Sequence, residues 1–510
     1  MANVINIETM KHKEHKLITW IILVLCGCSP LLINAQTSVE HLYNTLTGDG
    51  VRLCTDPATG NSIICFNNHA DYLPYCFVYH DHSSSSTYYY RSSWGFPPTN
   101  TPDYCDVKDI EIIGDSCYFC GSYYTSYFEY QMGGGQMLVT IENGYIGRFS
   151  LSNFVNGISP MPIKFFTIPG TKTLSKLVGL TQGPNYFICL IGVTSTGRSC
   201  LATVKDDGLY LTYGLHATPA SETLTDLALT DDHLVTVSRF DDEPYTFGLR
   251  AEITGDWVGS ILAGNPLPRY PYLNKYHTMG VNTLPEPRPD LPTAHPMNVE
   301  IKLAEVPGTE NIVVAYDCTG GARDEECSSD LFHTALYHVD LSPYYPEQGI
   351  PMGMLEAQLV SKARKEKNSL AGLACPDQTK TILFHSYPFN SDDYSGEIQF
   401  PQWPYAGHVD NLLIDQRDLQ DMYYDFSNHK INLAGNPGTD SRILHFQQDY
   451  NKTGRSCYST RPQALAEEMT LPEEEIILTE ITTSYGIAIF PITHNRSHHQ
   501  AGYEIKCRTN

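Results

Sequence analysis

The sequence predicts an all-β fold of the β-propeller type, seven-bladed with eight as the alternative, and three observations point there. A strand–turn–strand phrase can be counted seven times along the 510 residues. Each copy is followed by a further run that alternates apolar and polar residues. The composition also suits strands and turns, with 34 Tyr and 19 Phe against 33 Lys plus Arg, and with 38 Gly and 32 Pro. Units repeated on this scale bury their faces only against their neighbours, which is the logic of a solenoid or a ring of blades.

The clearest phrase is Val107–Gly121 (VKDIEIIGDSCYFCG), a short alternating strand, a polar turn and a second apolar strand. It recurs at Thr173–Val193, Thr223–Arg239, Val299–Tyr316 and Ser369–Ser386, and more weakly at Val409–Tyr424 and Glu475–Phe490. The third runs are Gly147–Leu151, Ser199–Val204, Leu249–Ile253, Ala335–Leu341, Glu397–Phe400, Arg442–Phe446 and Tyr503–Cys507. Period-two alternation marks half-buried strands. Lys164–Ile168 and Leu209–Tyr213 are candidate fourth, outer strands. The last unit has no outer strand of its own. The N-terminal segment between Val51 and Tyr79, at Ser62–Phe66 or Tyr75–Tyr79, is expected to supply it and so close the ring. If that segment is a blade itself, the count is eight. Only Gly353–Lys367 and Pro462–Met469 read as helices, and Tyr270–His295, with five prolines, reads as a long irregular connection. Residues 36–510 are taken as a single domain.

The N-terminus carries an export signal. Lys11, Lys13 and Lys16 precede the apolar run Leu17–Cys28, and Ile33-Asn34-Ala35 precedes Gln36, which predicts a signal peptide over residues 1–35. Cleavage at a lipidated Cys28 is the rival. No later run is long enough to span a bilayer. The expected location is therefore outside the cytoplasm, in the periplasm, at the cell surface or secreted. A net charge of −24 repels phosphate backbones and anionic lipid, so nucleic acid is not an expected partner. Thirteen cysteines follow Ala35, an odd number without regular spacing. Mostly buried thiols are expected, with one or two bridges; Cys54/Cys65 and Cys318/Cys327 are near enough in sequence to close small loops.

The phrase Ile110–Gly121 (IEIIGDSCYFCG), the Ala35–Gln36 junction and the repeat layout resemble uncharacterised secreted repeat proteins of gut-dwelling bacteria. That resemblance implies a propeller-like fold and export. It implies no activity.

Candidate chemistry is sparse. There is no G-x-S-x-G elbow, P-loop or H-E-x-x-H. Cys117 and Cys120 form a C-x-x-C inside an apolar strand, where residues three apart face opposite sides, so core packing is expected. His80 and His82, with His494, His498 and His499, would make a metal site only if the chain ends met, and solvated loop histidines are the simpler reading. The acidic turns Asp231-Asp232, Asp241-Asp242-Glu243 and Asp392-Asp393 lack a spaced calcium pattern. Tyr88–Tyr90, Tyr123, Tyr124, Tyr127, Tyr130, Tyr344, Tyr345, Tyr423 and Tyr424 exceed what a core requires. They suit either a sugar- or protein-binding surface or packing between blades. The longest insertion, between Trp257 and Met297, carries Arg269, Tyr270, Tyr272, Tyr276 and His277, a composition of interface anchors stiffened by proline. These five are the candidate binding residues. No catalytic residue, metal or cofactor is assigned. The expected function is a monomeric, non-enzymatic recognition or scaffold protein for an unidentified protein or glycan. The alternative is a carbohydrate-active hydrolase or lyase using carboxylates in the channel.

Overall fold

The computed structural model describes residues 39–67, 76–80, 87–91, 104–130, 136–157, 163–208, 211–243, 246–264, 273–277, 298–319, 332–342, 355–362, 369–386, 396–401, 410–414, 419–435, 442–449, 476–483 and 486–493. Seven four-stranded antiparallel sheets account for nearly all of them.

Strand β1 (Val39–Thr47) is set aside for the last sheet. Blade 1 is β2 (Asp49–Thr55), β3 (Ser62–Asn67), β4 (Cys76–His80) and β5 (Thr87–Arg91). Blade 2 is β6 (Tyr104–Ile113), β7 (Ser116–Tyr130), β8 (Gln136–Ser150) and, after the short helix α1 (Leu151–Val155), β9 (Lys164–Thr167). Blade 3 is β10 (Thr171–Gln182), β11 (Asn185–Thr194), β12 (Ser199–Asp206) and β13 (Leu211–Ala217). Blade 4 is β14 (Glu222–Leu229), β15 (His233–Phe240), β16 (Thr246–Ile253) and, after helix α2 (Thr254–Leu262), β17 (Asn274–His277). Blade 5 is β18 (Asn298–Glu305), β19 (Asn311–Thr319), β20 (Phe332–Asp340) and β21 (Leu355–Lys362). Blade 6 is β22 (Ser369–Asp377), β23 (Lys380–Ser386), β24 (Gly396–Phe400) and β25 (Asp410–Ile414). Blade 7 joins β26 (Leu419–Asp425), β27 (Lys430–Gly435) and β28 (Arg442–Asp449) to β1. The first strand of every blade contacts the first strand of the next, and β26 returns to β2, so the sheets form a closed ring around a channel.

Position within a blade explains the sequence of each strand. The second strand is covered on both faces by the neighbouring blades and reads as an unbroken apolar run: all six residues of β3 (SIICFN) are buried, as are the central residues of β11. The first strands alternate, as in β14 with its Glu222, Leu224, Asp226 and Leu227 turned inward. Between blades 1 and 2, Phe77 meets Phe119 and Phe149 edge-on with centroids 5.0 and 4.9 Å apart, beside Ile63, Val107, Ile110 and Tyr145. Burying each such side chain contributes about 1.5–3 kcal/mol, repeated at every interface. At the first turns, positive φ at Gly114 and Gly183 permits the tight reversals from β6 to β7 and from β10 to β11.

The propeller prediction holds, and several elements within it move. The chain that closes the ring is Val39–Thr47, which pairs with β28 from Val39↔Gln447 to Tyr43↔Ile443, and not Ser62–Phe66 or Tyr75–Tyr79. The latter two overlap β3 and β4 of blade 1. The phrase Val409–Tyr424 straddles two blades, its first part in β25 and its last in β26. Glu475–Phe490 largely coincides with a separate two-stranded hairpin, β29 (Ile476–Thr483) and β30 (Gly486–Thr493), that belongs to none of the four-stranded sheets. Gly353–Lys367 is not helical where it is described: Leu355–Lys362 is the outer strand of blade 5. Its helix-forming residues also place Leu355, Ala357 and Leu359 at period two, and completing a sheet edge outweighs intrinsic propensity. Pro462–Met469 and Tyr503–Cys507 lie outside the described residues, as do residues 1–38.

The eight cysteines whose side chains are described, Cys54, Cys65, Cys105, Cys117, Cys120, Cys189, Cys200 and Cys375, are all buried and unbridged, so Cys54 and Cys65 are not joined; Cys327 lies outside the described residues. Cys117 faces the blade 1–blade 2 core and Cys120 the blade 2–blade 3 core, opposite sides of β7 as the strand period requires.

Candidate functional site

The candidate site is the mouth of the channel, at the end where the first strands begin. Most of these strands carry a β-bulge there. Pairing slips at Lys108, Ser175, Thr225, Ala371 and Gln420, and between Asp49 and Arg52 in β2. A bulge sharpens the local twist and re-aims the residue that follows. In chain order the residues at this position are Arg52, Asp109, Lys176, Asp226, Lys302, Gly372 and Asp421. Cation and carboxylate alternate around the ring, and the alternation fails only at Gly372.

The three aspartates join one blade to the next. An Asp109 carboxylate oxygen accepts the backbone N–H of Leu177 at 2.9 Å, Asp226 that of Leu303 at 2.8 Å, and Asp421 that of Leu53 at 2.8 Å. The second oxygen of Asp226 accepts the N–H of Leu227 at 2.9 Å, and that of Asp421 the N–H of Met422 at 3.1 Å. These two N–H groups follow blades 3 and 6, whose ring residues are Lys176 and Gly372. No carboxylate is available there from the preceding blade. The Lys176 ammonium lies 3.4 Å from Asp109. Gly372 is enforced by packing, because a Cβ there would meet the Met422 side chain at 2.6 Å.

Inside this ring lies a cavity of about 320 Å³, bordered by residues from all seven first strands. Arg52, Lys108, Lys176 and Lys302 supply positive charge, Asp109, Glu300 and Asp421 negative charge, and Leu370, Ala371 and Leu419 an apolar sector on blades 6 and 7. The volume sits at the lower end of the range of small-molecule sites.

Charge is strongly coupled along the channel. Burial lowers the affinity of Lys176 for its proton, but Asp109, Asp226, Asp421 and Glu111 outweigh it and hold the ammonium more firmly than usual. Burial raises Asp421, against Arg52 and Lys176. Two residues further along β6, Glu111 is pushed up to about 8, first by burial and then by Asp109, with Lys176 opposing. Near the far end of β18, Glu305 is raised to about 6 by burial, Asp231 and Glu310. The Tyr423 phenol is raised by burial and by Glu111. Glu111 is thus a protonated carboxylic acid at neutral pH, able to donate a hydrogen bond or a proton into the channel.

The insertion between Trp257 and Met297 contains β17, and Arg269, Tyr270 and Tyr272 lie outside the described residues. Tyr276 is 4 % exposed and stacks on Phe247 with centroids 5.3 Å apart, in the core shared with Tyr316 and Tyr337 of blade 5. The backbone of His277 pairs with Thr246. Residues 278–297 lie outside the described residues. His82, His494, His498 and His499 do as well; His80 ends β4, its backbone paired with Ser62.

The tyrosines divide between both expected roles. Tyr424 is buried and Tyr423 packs between blades. Tyr127 and Tyr130 are exposed on the extension of β7 and β8 past the start of β6, a two-stranded arm rising from blade 2 at the mouth end. Phe128, Met137, Leu138 and Ile141 are exposed on the same arm.

None of the ring residues was singled out from the sequence. The signal was present in the phrases Val107-Lys108-Asp109-Ile110, Leu174-Ser175-Lys176-Leu177, Leu224-Thr225-Asp226-Leu227 and Leu419-Gln420-Asp421-Met422, each with one charge at the third place.

The sequence matches no protein-family model and no curated protein. Among solved structures the chain is similar to the Dos1 propeller, at 10% identity and a TM-score of 0.40 over 80% of this chain and 93% of that one. It is also similar to the β-propeller domain of the Trilobed protease from Pyrococcus furiosus, at 8% identity and a TM-score of 0.40 over 80% and 99%. A third similar structure is Trypanosoma rangeli sialidase, at 8% identity and a TM-score of 0.36, over 80% of this chain and 55% of that one.

Proposed function

We propose that the protein is exported and acts as a recognition or scaffold module without catalysis, with the mouth end of the ring as its binding face. One observation carries this reading. The ring carboxylates of Asp109, Asp226 and Asp421 are committed to backbone N–H groups of neighbouring strands, so they brace a preformed polar cup. A rigid cup with fixed charges loses little entropy when it meets a ligand. The β7–β8 arm extends from the same end, whereas at the other end the first turns of blades 2 and 3 are tight. Binding to a glycan array and to candidate proteins, repeated with Thr225→Trp to fill the cup, tests the reading. Loss of binding in a folded Thr225→Trp protein is expected; unchanged binding overturns it. For export, mass spectrometry of the mature N-terminus is expected to find Gln36, and a lipid on Cys28 would place the cut there instead.

A hydrolase or lyase acting on carbohydrate is the second reading, favoured by Glu111, which is held protonated at neutral pH as a general acid must be. Turnover of a polysaccharide that disappears in Glu111→Gln would establish this reading and displace the first.

A further inference from the structure

Blade 2 outgrows its own sheet. β7 and β8 pair along their whole length, from Ser116↔Ser150 to Tyr130↔Gln136. The inner strand β6 reaches only as far as Tyr124 of β7, and the outer strand β9 only as far as Tyr145 of β8. Thr125–Tyr130 and Gln136–Ile141 therefore stand clear as a two-stranded ribbon about 20 Å long. Among the described residues no strand pairs with the outer edge of either. Two strands alone are marginal in water, and three or more with an apolar face are needed for a stable sheet.

The ribbon is apolar on both faces. By strand alternation Phe128, Tyr130 and Leu138 lie on one face and Tyr127, Met137 and Ile141 on the other, all of them 42–76 % exposed. These side chains expose on the order of 600 Å² per chain, so two ribbons bring together about 1,200 Å², the lower end for a specific protein pair. Charge falls away over the same stretch. In a chain with 57 acidic and 33 basic residues, Thr125–Ile141 contains Glu129 and no other charged residue. Two copies at −24 each repel one another, and this is a place where they meet with little like charge. The two edges also differ. β7 carries Glu129, and a charge on an edge strand blunts further pairing. Gln136–Ile141 (QMLVTI) on β8 has no charge, proline or glycine and holds the strand formers Val139, Thr140 and Ile141.

We propose that the free edge of β8 pairs with the same edge of a second copy of this chain, antiparallel about a two-fold axis at Val139. A two-fold contact uses one patch twice, so an uncharged edge meets its own match. Met137 then lies opposite the partner's Ile141, and Leu138 opposite the partner's Thr140. The pairing fits within the free length of the edge, which runs from Gln136 to the point where β9 joins at Tyr145. Two ribbons become one sheet of four strands, with Glu129 on its outer strands. Because β9 is the outermost strand of blade 2, the edge of β8 faces away from the ring axis and both mouths stay open. The inference is independent of reading the mouth as a binding face. It replaces the monomer expected from the sequence.

Sedimentation of the full chain over a series of concentrations tests it. The mass should rise from one chain to two and stop there. Met137→Lys with Ile141→Lys sets like charges opposite each other across the two-fold. It should raise the dissociation constant of the dimer by about tenfold or more, with the unfolding midpoint of the monomer unchanged. Met137→Glu with Ile141→Glu should do the same. Mixing the lysine and glutamate variants should restore a dimer of one chain of each, a rescue that a misfolded variant would not give. A chain that stays monomeric throughout the series overturns the proposal, and so does a dimer that persists in both double variants. Failure of the mixture to pair overturns the β8-to-β8 register. A monomeric chain whose arm instead binds phosphatidylcholine vesicles, with binding lost in the lysine variant, makes the arm a lipid contact and likewise overturns it.

Discussion

The carboxylate of Asp109, on the first strand of blade 2, accepts the backbone N–H of Leu177 on the first strand of blade 3 at 2.9 Å. Asp226 to Leu303 and Asp421 to Leu53 repeat this contact, so three of the junctions between blades carry a charge-assisted hydrogen bond at the channel wall. Together with other contacts between blades, such as Val107 N–H to Asn67 Oδ1 and Leu224 N–H to Ser199 Oγ, they fix the relative height of neighbouring sheets.

Asp226, like Asp421, accepts two backbone N–H groups. Replacing it with Ala leaves two N–H groups, of Leu227 and Leu303, without their acceptor. Each unsatisfied buried group costs about 1–3 kcal/mol, so Asp226→Ala is expected to lose about 2–4 kcal/mol in denaturant unfolding. Asp231→Ala, at an exposed turn, should change stability by less than about 0.5 kcal/mol.

Glu111 gives stability a distinctive pH dependence. Its ordinary value is 4.5 and its value in the fold is about 8. Between these limits the folded chain holds a proton that the unfolded chain has released, so the stability associated with this group is full below pH 4.5 and falls as pH rises towards 8. Burial of the carboxylate is the main cause, and Glu111→Gln removes the titration. Melting temperatures measured from pH 5 to pH 9 should fall less steeply in Glu111→Gln than in the wild type. Equal slopes would show that Glu111 titrates normally.

The repeat phrases made the propeller legible because the middle strands of a blade are buried on both faces and stay apolar whatever else changes. Val107–Gly121 and Thr173–Val193 show this most clearly, and they fall on β6–β7 and β10–β11. The phrase is weaker where the chain departs from it. In blade 7 the signal ran together with β25, and blade 1 was read as a closing segment. The closing strand Val39–Thr47 has no turn chemistry to mark its partner, since its pairing with β28 joins segments far apart in the chain. The ring at the mouth is written in the sequence as a charged residue at one place in every repeat but that of blade 6. It becomes meaningful only once the repeats are superposed in space, because neither the sign alternation nor the gap at Gly372 belongs to any one unit.

Closure predicts that β1 is indispensable to the assembled ring. Removing residues up to Thr47 strips blade 7 of its outer strand, exposes the edge of β28 and unties the two ends of the chain. The shortened protein is expected to melt at a markedly lower temperature or to aggregate. A synthetic peptide of Val39–Thr47, added in excess, should restore part of the loss. A truncated chain that melts with the full-length protein would mean that blade 7 holds without β1.

The buried part of β7 and its exposed extension should respond in opposite ways to substitution. Phe119 lies fully buried among Phe77, Tyr145, Phe149 and Phe165, all within 6.2 Å between centroids. Phe119→Ala removes that packing and should cost about 3–5 kcal/mol. On the same strand Phe128 is 63% exposed and Tyr130 76%, and on β8 Leu138 is 57% exposed. Their side chains contribute little to the core, so Phe128→Ser, Tyr130→Ser and Leu138→Ser together should leave the unfolding midpoint within about 0.5 kcal/mol of wild type. An exposed apolar arm of this size is a surface for contact with something else. The triple variant should therefore differ from wild type in partner binding or in self-association by light scattering, with stability unaltered. A large loss of stability in the triple variant would instead make the arm a structural part of blade 2.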